Sequence, residues 1–76
     1  MKALNMKERV GLTAGSIWDL LTKKDEISVT QLAKVLREKP LVIHQALGWL
    51  AREDKISYRE EGIKLFISLA EAERRK

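Results

Sequence analysis

The sequence predicts a single α+β domain with three helices, a short first strand and a C-terminal β-hairpin. Apolar residues recur at helical spacing as far as about residue 53, and they then alternate with polar residues over 56–69. A chain of 76 residues can form one small core. We therefore expect one domain over residues 1–76, with an ordered core over about 7–69 and a frayed tail over 70–76.

The first helix is predicted over about residues 7–23. One of its faces carries the apolar side chains Val10, Ala14, Ile17, Trp18 and Leu21, all expected in the core. Gly11 and Gly15 are four residues apart and therefore share another face. They leave room for a second backbone, which is either a strand or the third helix of this chain or a second copy in a homodimer.

The second helix is predicted over about residues 29–37, after a short extended segment around Ile27. Ser28 and Gln31 have the spacing of a capping box, in which each side chain accepts a hydrogen bond from the backbone N–H of the other residue. Pro40 suits the first position of a third helix over about 41–53. The core face of this helix is predicted to carry Ile43, Ala46, Leu47 and Leu50.

Two half-buried strands are predicted after the third helix. Ile56 and Tyr58 alternate with polar residues in the first strand. In the second strand, the side chains expected to face inward are Ile63, Leu65, Ile67 and Leu69. The letters "EEG" between the strands predict a three-residue loop with Gly62 in the left-handed region. Phe66 falls on the other face, where it must cover something local or meet a partner.

A short turn between two helices, followed by a β-hairpin, predicts a winged helix-turn-helix. The stretches "AGSIWDLL", "SVTQLAKVL" and "ALGWLAREDKI" resemble a family of small stand-alone prokaryotic winged helix-turn-helix proteins of unassigned function. The similarity covers about residues 8–69. It implies the same fold, an association with double-stranded DNA and a homodimer, and it supplies no known ligand.

In this fold the third helix enters the major groove. The candidate DNA-binding residues are the polar and small residues on its outer side and the cations around it: Lys34, Arg37, Lys39, His44, Gln45, Gly48, Arg52, Arg59 and Lys64. Gln45 suits adenine, and Arg52 suits guanine or a phosphate. A solvated helix face explains His44 and Gln45 equally well.

The charge balance predicts weak or dimer-dependent DNA binding. The net charge is only +4, and Arg52 is followed by Glu53 and Asp54. At the tip of the hairpin, two acids follow Arg59. A tight binder makes on the order of 6–10 phosphate contacts, which one copy of this chain cannot easily supply. The prediction is a transcription-related DNA-binding protein that binds weakly or as a dimer.

The alternative function is a protein–protein interaction module, a homodimer or adaptor without useful DNA affinity. Its candidate interface residues are Gly11, Gly15, Leu41, Trp49 and Phe66. The spacing of Leu41, Val42 and Trp49 predicts that each is partly exposed along one edge of the third helix. Tryptophan in particular is enriched at protein interfaces. The other interpretation of Trp49 is packing against the hairpin or the first helix.

Enzyme chemistry is not predicted. The chain has no cysteine and one histidine, so neither a disulfide nor an ordinary zinc site is expected. Its glycines form no phosphate loop, and no serine has the setting of a catalytic nucleophile. We expect no catalytic residue, metal, cofactor or small-molecule ligand. Without an apolar signal region or a membrane-length apolar segment, a cytoplasmic protein that does not associate with membranes is expected.

Overall fold

The computed structural model describes residues 5–74, which form four helices and a three-stranded sheet. The elements in chain order are α1 (Met6–Lys23), β1 (Ile27–Ser28), α2 (Val29–Leu36), α3 (Pro40–Arg52), β2 (Ile56–Glu61), β3 (Lys64–Leu69) and α4 (Glu71–Arg74). This is a winged helix-turn-helix, so the predicted fold is confirmed. Within the described part, no helix combines the length and apolarity that a membrane crossing requires.

Helix α1 begins with a capping box that holds its first turn. The Asn5 side chain accepts a 2.8 Å bond from the Glu8 backbone N–H, and the Glu8 carboxylate accepts one from the Asn5 N–H. Ile17 is completely buried, whereas Trp18 is only half-buried. The expectation of a core position for Trp18 is therefore wrong, because this side chain lies at the edge of the buried stripe of α1 and packs against the core from outside.

Helices α2 and α3 begin where the sequence predicts. The Ser28 hydroxyl accepts a 3.2 Å bond from the Gln31 N–H, but within the described residues the Gln31 side chain returns none, so only half of the predicted capping box forms. Pro40 occupies the first turn of α3. Val42 is 1% exposed, which corrects its predicted position at an exposed edge. It precedes Ala46 by four residues on the buried face of the helix.

The sheet has the order β1-β3-β2 and is antiparallel throughout. Glu61 pairs with Lys64, so the hairpin loop has two residues and not the predicted three. Gly62 has the predicted positive φ, +62°, as in a type II′ turn. Ile63 belongs to this shorter loop and is fully exposed, which corrects its predicted inward orientation.

A short helix follows the hairpin. The Ala70 N–H donates a 2.9 Å bond to the Lys55 carbonyl, which continues the pairing beyond β3. The next residues form α4, and the frayed tail over 70–76 stays a prediction. Residues 75 and 76, which the same prediction included, lie outside the described residues.

Candidate nucleic-acid interface

The turn between α2 and α3 carries three exposed cations: Lys34, Arg37 and Lys39. None of them forms an ion pair within residues 5–74. Lys34 lies in the last turn of α2, and Lys39 is the residue that immediately precedes α3. The turn therefore places unpaired positive charge beside the start of α3.

Arg37 ends α2 in a left-handed conformation, with φ +54° and ψ +43°. Its N–H donates to the Lys34 carbonyl at 3.3 Å, and the Glu38 N–H donates to the Ala33 carbonyl at 3.2 Å. This Schellman pattern normally has glycine at the position of Arg37. An arginine there costs roughly 1 kcal/mol of backbone energy relative to glycine.

The acid of the same turn is neutralised by α1. The Arg9 guanidinium donates two hydrogen bonds to the Glu38 carboxylate, at 2.7 and 3.2 Å, and the Lys39 N–H donates a third at 2.9 Å. The bonds from Arg9 and then from Lys39 hold the pKa of Glu38 below its ordinary value of 4.5. The pair also ties the turn to α1. Sequence analysis did not find it, because 29 residues separate its members.

Helix α3 has an exposed face with few bulky groups. Leu41, Gln45, Gly48 and Arg52 follow one another at helical spacing and are all exposed. Apart from Gly48 itself, its chain neighbours and the adjacent backbone of α3, no atom of the described residues lies within 4 Å of the place where a Cβ on Gly48 would be. Leu41, predicted at a protein interface, therefore lies among the DNA-binding candidates.

The remaining DNA-binding candidate of α3 is His44, which lies on the side of the helix nearest the hairpin. It lines an open groove of about 580 Å³ together with Tyr58, Glu60 and apolar residues. The Tyr58 hydroxyl donates a 3.4 Å bond to the Leu47 carbonyl, and burial raises the pKa of this phenol above 10.0. Tyr58 thus connects the wing to α3, a contact that its alternating sequence pattern did not reveal.

Arg59 is not a free cation of the wing. It donates two hydrogen bonds to Glu26, at 2.8 and 2.9 Å, and a third to Glu61 at 3.0 Å. These bonds raise the pKa of its guanidinium, which also lies 4.5 Å above the centre of the Phe66 ring. The expectation that Arg59 contacts DNA stays a prediction, and this guanidinium is already engaged by two carboxylates. Lys64 is exposed and makes no ion pair in the part of the chain described.

The four protein-interface candidates other than Leu41 separate into two groups. Gly11, Gly15 and Trp49 together line one groove between α1 and α3. Both glycines are exposed with open space around them, so no strand or helix within residues 5–74 packs on them. Phe66 lies elsewhere and is half-buried beneath Arg59. Of its two predicted roles, a local contact or a contact with a partner, the local contact is the one observed.

Comparisons with known proteins agree with this architecture. The family described as "Winged helix-turn-helix domain (DUF2582)" matches residues 5–69. The uncharacterized protein MJ1608 of Methanocaldococcus jannaschii is 40% identical over 68 residues, which cover 86% of this chain and 96% of the relative.

Two solved structures share the fold. Apo ZitR of Lactococcus lactis superposes with a TM-score of 0.77 at 21% identity, covering 90% of this chain but 53% of ZitR, so the chain spans about half the length of that protein. HlyU of Vibrio vulnificus, a transcriptional regulator, superposes with a TM-score of 0.71 at 27% identity, covering 90% of this chain and 77% of HlyU. With the family match over nearly the whole chain, this protein belongs to the winged helix-turn-helix domain family DUF2582.

Proposed function

We propose that this protein binds double-stranded DNA and acts in transcriptional control. The observation that carries the proposal is the charge at the α2–α3 turn. Lys34, Arg37 and Lys39 are exposed there and form no ion pair with any described residue, whereas Glu38 of the same turn is neutralised by Arg9. The similarity to HlyU, which is a transcriptional regulator, supports the same function.

In the proposed complex, the exposed face of α3 enters the major groove. The carboxamide of Gln45 suits the N6 and N7 positions of adenine, and Arg52 suits guanine or a phosphate. The open surface at Gly48 lets the helix axis approach the bases closely. The three turn cations bind phosphates beside the groove and so determine the orientation of α3.

The wing adds little to this surface. Arg59 is engaged by two carboxylates, and Glu60 and Glu61 are exposed near the tip, where they repel phosphates. One copy of the chain therefore offers few cations to DNA. We accordingly propose that a single copy binds weakly and that useful affinity comes from a homodimer on two adjacent half-sites.

The test measures binding of a fluorescent generic duplex at low salt. The double variant Arg37→Ala/Lys39→Ala removes two turn cations, and the matched control Lys23→Ala/Lys24→Ala removes two exposed cations from the far end of α1. We expect the turn variant to bind at least about tenfold more weakly than the control, because each lost phosphate contact at low salt is worth about 1 kcal/mol or more. Equal affinities of the two variants would exclude the turn as the DNA surface.

The second candidate function is a protein–protein interaction module. The observation that favours it is the groove between α1 and α3, which has an exposed tryptophan, Trp49, on its border. A parent protein that binds no duplex even at low salt, while it associates with itself or with another protein, would favour this second function over the first.

A further inference from the structure

A groove bordered by two exposed apolar side chains and by charged residues lies on the side of the molecule formed by α1 and the second half of α3. Gly11 and Gly15 line a groove of about 570 Å³ there. Leu12 and Trp49, which line the same groove, are 62% and 45% exposed. Covering two large apolar side chains is favourable, so the groove is suited to contact with another protein surface.

The charges on α1 show which surface fits. Lys7, Gly11, Gly15 and Asp19 are spaced four residues apart, so they form one continuous row on the helix, and all four are exposed. The row is positive at one end, negative at the other and has no side chain between. Neither Lys7 nor Asp19 forms an ion pair within the described ranges of the chain.

Such a row is complementary to itself when a second copy runs antiparallel. A two-fold axis between Gly11 and Gly15 places each Lys7 opposite the Asp19 position of the other copy. Interfaces with two-fold symmetry require this kind of self-complementarity, in which the same patch meets itself.

We propose that a second copy of this chain occupies the groove and forms a homodimer in which the two α1 helices pack antiparallel. The glycines allow the two helices to approach closely, because the distance between packed helices is set by the side chains at the contact. Leu12 and Trp49 of each copy then cover the helix of the other. The turn cations Lys34, Arg37 and Lys39 do not line the groove, so the dimer leaves them exposed. The proposal does not depend on DNA binding.

The first test is sedimentation velocity of the full chain over a wide concentration range, with the variant Gly15→Gln. In one copy the new side chain meets open space, and glutamine is a better helix former than glycine, so the fold is retained. In the dimer it separates the two helices. We expect the parent to dimerise and Gly15→Gln to stay monomeric with an unchanged or higher Tm. A monomeric parent at the highest concentration, or a Gly15→Gln protein that dimerises normally, overturns the proposal.

The second test exchanges the charges. Lys7→Glu and Asp19→Lys each place like charges opposite one another at two symmetric positions, and each should weaken the dimer by about tenfold in Kd. The double variant Lys7→Glu/Asp19→Lys keeps the net charge and restores opposite pairs, so it should dimerise like the parent. Failure of the double variant to recover, when both single variants weaken the dimer, contradicts the antiparallel arrangement. Single variants without effect contradict it as well.

Discussion

Two residues, Arg37 and Asp54, end their helices in the left-handed conformation that normally favours glycine. Their φ angles are +54° and +57°. Both close a Schellman motif. The Lys55 N–H donates to the Leu50 carbonyl at 3.0 Å, and the Glu38 N–H donates to the Ala33 carbonyl at 3.2 Å. The two residues have the same backbone conformation but opposite charges and different positions in the fold. Substitutions at the two positions can therefore separate effects on stability from effects on DNA binding.

We expect Arg37→Gly to stabilise the fold and to weaken DNA binding. Glycine removes the left-handed strain of arginine, with a gain in the free energy of unfolding of up to about 1 kcal/mol after its own entropy cost. It also removes one phosphate contact of the proposed surface. Chemical denaturation and duplex binding at low salt, measured on the same preparation, check both halves of the prediction.

The matched control is Asp54→Gly, which relieves the same backbone conformation at the other end of α3. It should stabilise the fold by a similar amount without weakening DNA binding, because it removes an acid and not a cation. If both glycine variants weaken DNA binding to the same extent, the effect is one of backbone conformation and Arg37 is not a phosphate ligand.

Glu38 makes the stability of the turn depend on pH. Its pKa is lower in the folded protein than its ordinary value of 4.5, because Arg9 and the Lys39 N–H bind the charged form. The folded state therefore binds protons more weakly than the unfolded state. The contribution of Glu38 is fully present above pH 4.5 and is lost as the pH falls through the lower, folded pKa.

The measurement is urea denaturation of the parent and of Glu38→Gln between pH 3 and pH 7. We expect the parent to be the more stable protein above pH 4.5 and the difference to shrink toward the acidic end. Arg9→Ala should behave like Glu38→Gln, since it removes the other partner. A difference in stability that does not change with pH would show that the carboxylate charge of Glu38 is not responsible.

At the scale of the elements, α3 and the hairpin each contain a glycine with open space around it but with opposite backbone requirements. Gly48 lies inside α3, where no positive φ is present, whereas Gly62 has a φ of +62° in the loop of the hairpin. Alanine at Gly48 should stabilise the fold by up to about 1 kcal/mol through helix propensity.

Alanine at Gly62 should destabilise the fold by about 1 kcal/mol through left-handed strain. Thermal unfolding of Gly48→Ala and Gly62→Ala checks the two opposite signs with one method. A destabilising Gly48→Ala would indicate that α3 is bent or more closely packed at this residue than the open space around it indicates.

At the scale of the whole molecule, the distribution of charge matters more than its sum. The net charge of +4 includes cations that are already paired, such as Arg9 and Arg59. The cations of the proposed surface are Lys34, Arg37, Lys39 and Arg52, all of them exposed. Few phosphate contacts from one copy imply a shallow dependence of affinity on salt.

We expect the logarithm of the DNA binding constant to fall with the logarithm of the salt concentration with a slope of about −3 for one bound copy. Two copies on adjacent half-sites should give about twice that slope. Binding measured from low to moderate salt, with the monomeric Gly15→Gln protein beside the parent, distinguishes the two cases. A slope near zero would argue against phosphate contacts altogether.

Local patterns in the sequence were sufficient for the order of the elements from α1 to β3, but they did not indicate α4. The apolar spacing in α1 and α3, Pro40 at the start of α3 and Gly62 in the hairpin loop act through near neighbours, so they are readable without a fold. The one-residue error in the length of the hairpin loop arose because pairing across the strands, here Glu61 with Lys64, sets the register.

Only the tertiary structure decided which of the exposed cations are held in ion pairs. The sequence presents Arg37 and Arg59 as equivalent exposed cations, but Arg59 is held by Glu26, 33 residues away, and Arg37 has no ion-pair partner among residues 5–74. The tertiary structure also places Gly11, Gly15 and Trp49 in one groove, whereas Leu41 and Phe66 do not line that groove. Helical and strand periods act over a few residues, whereas ion pairs and grooves depend on distances between residues that folding brings together.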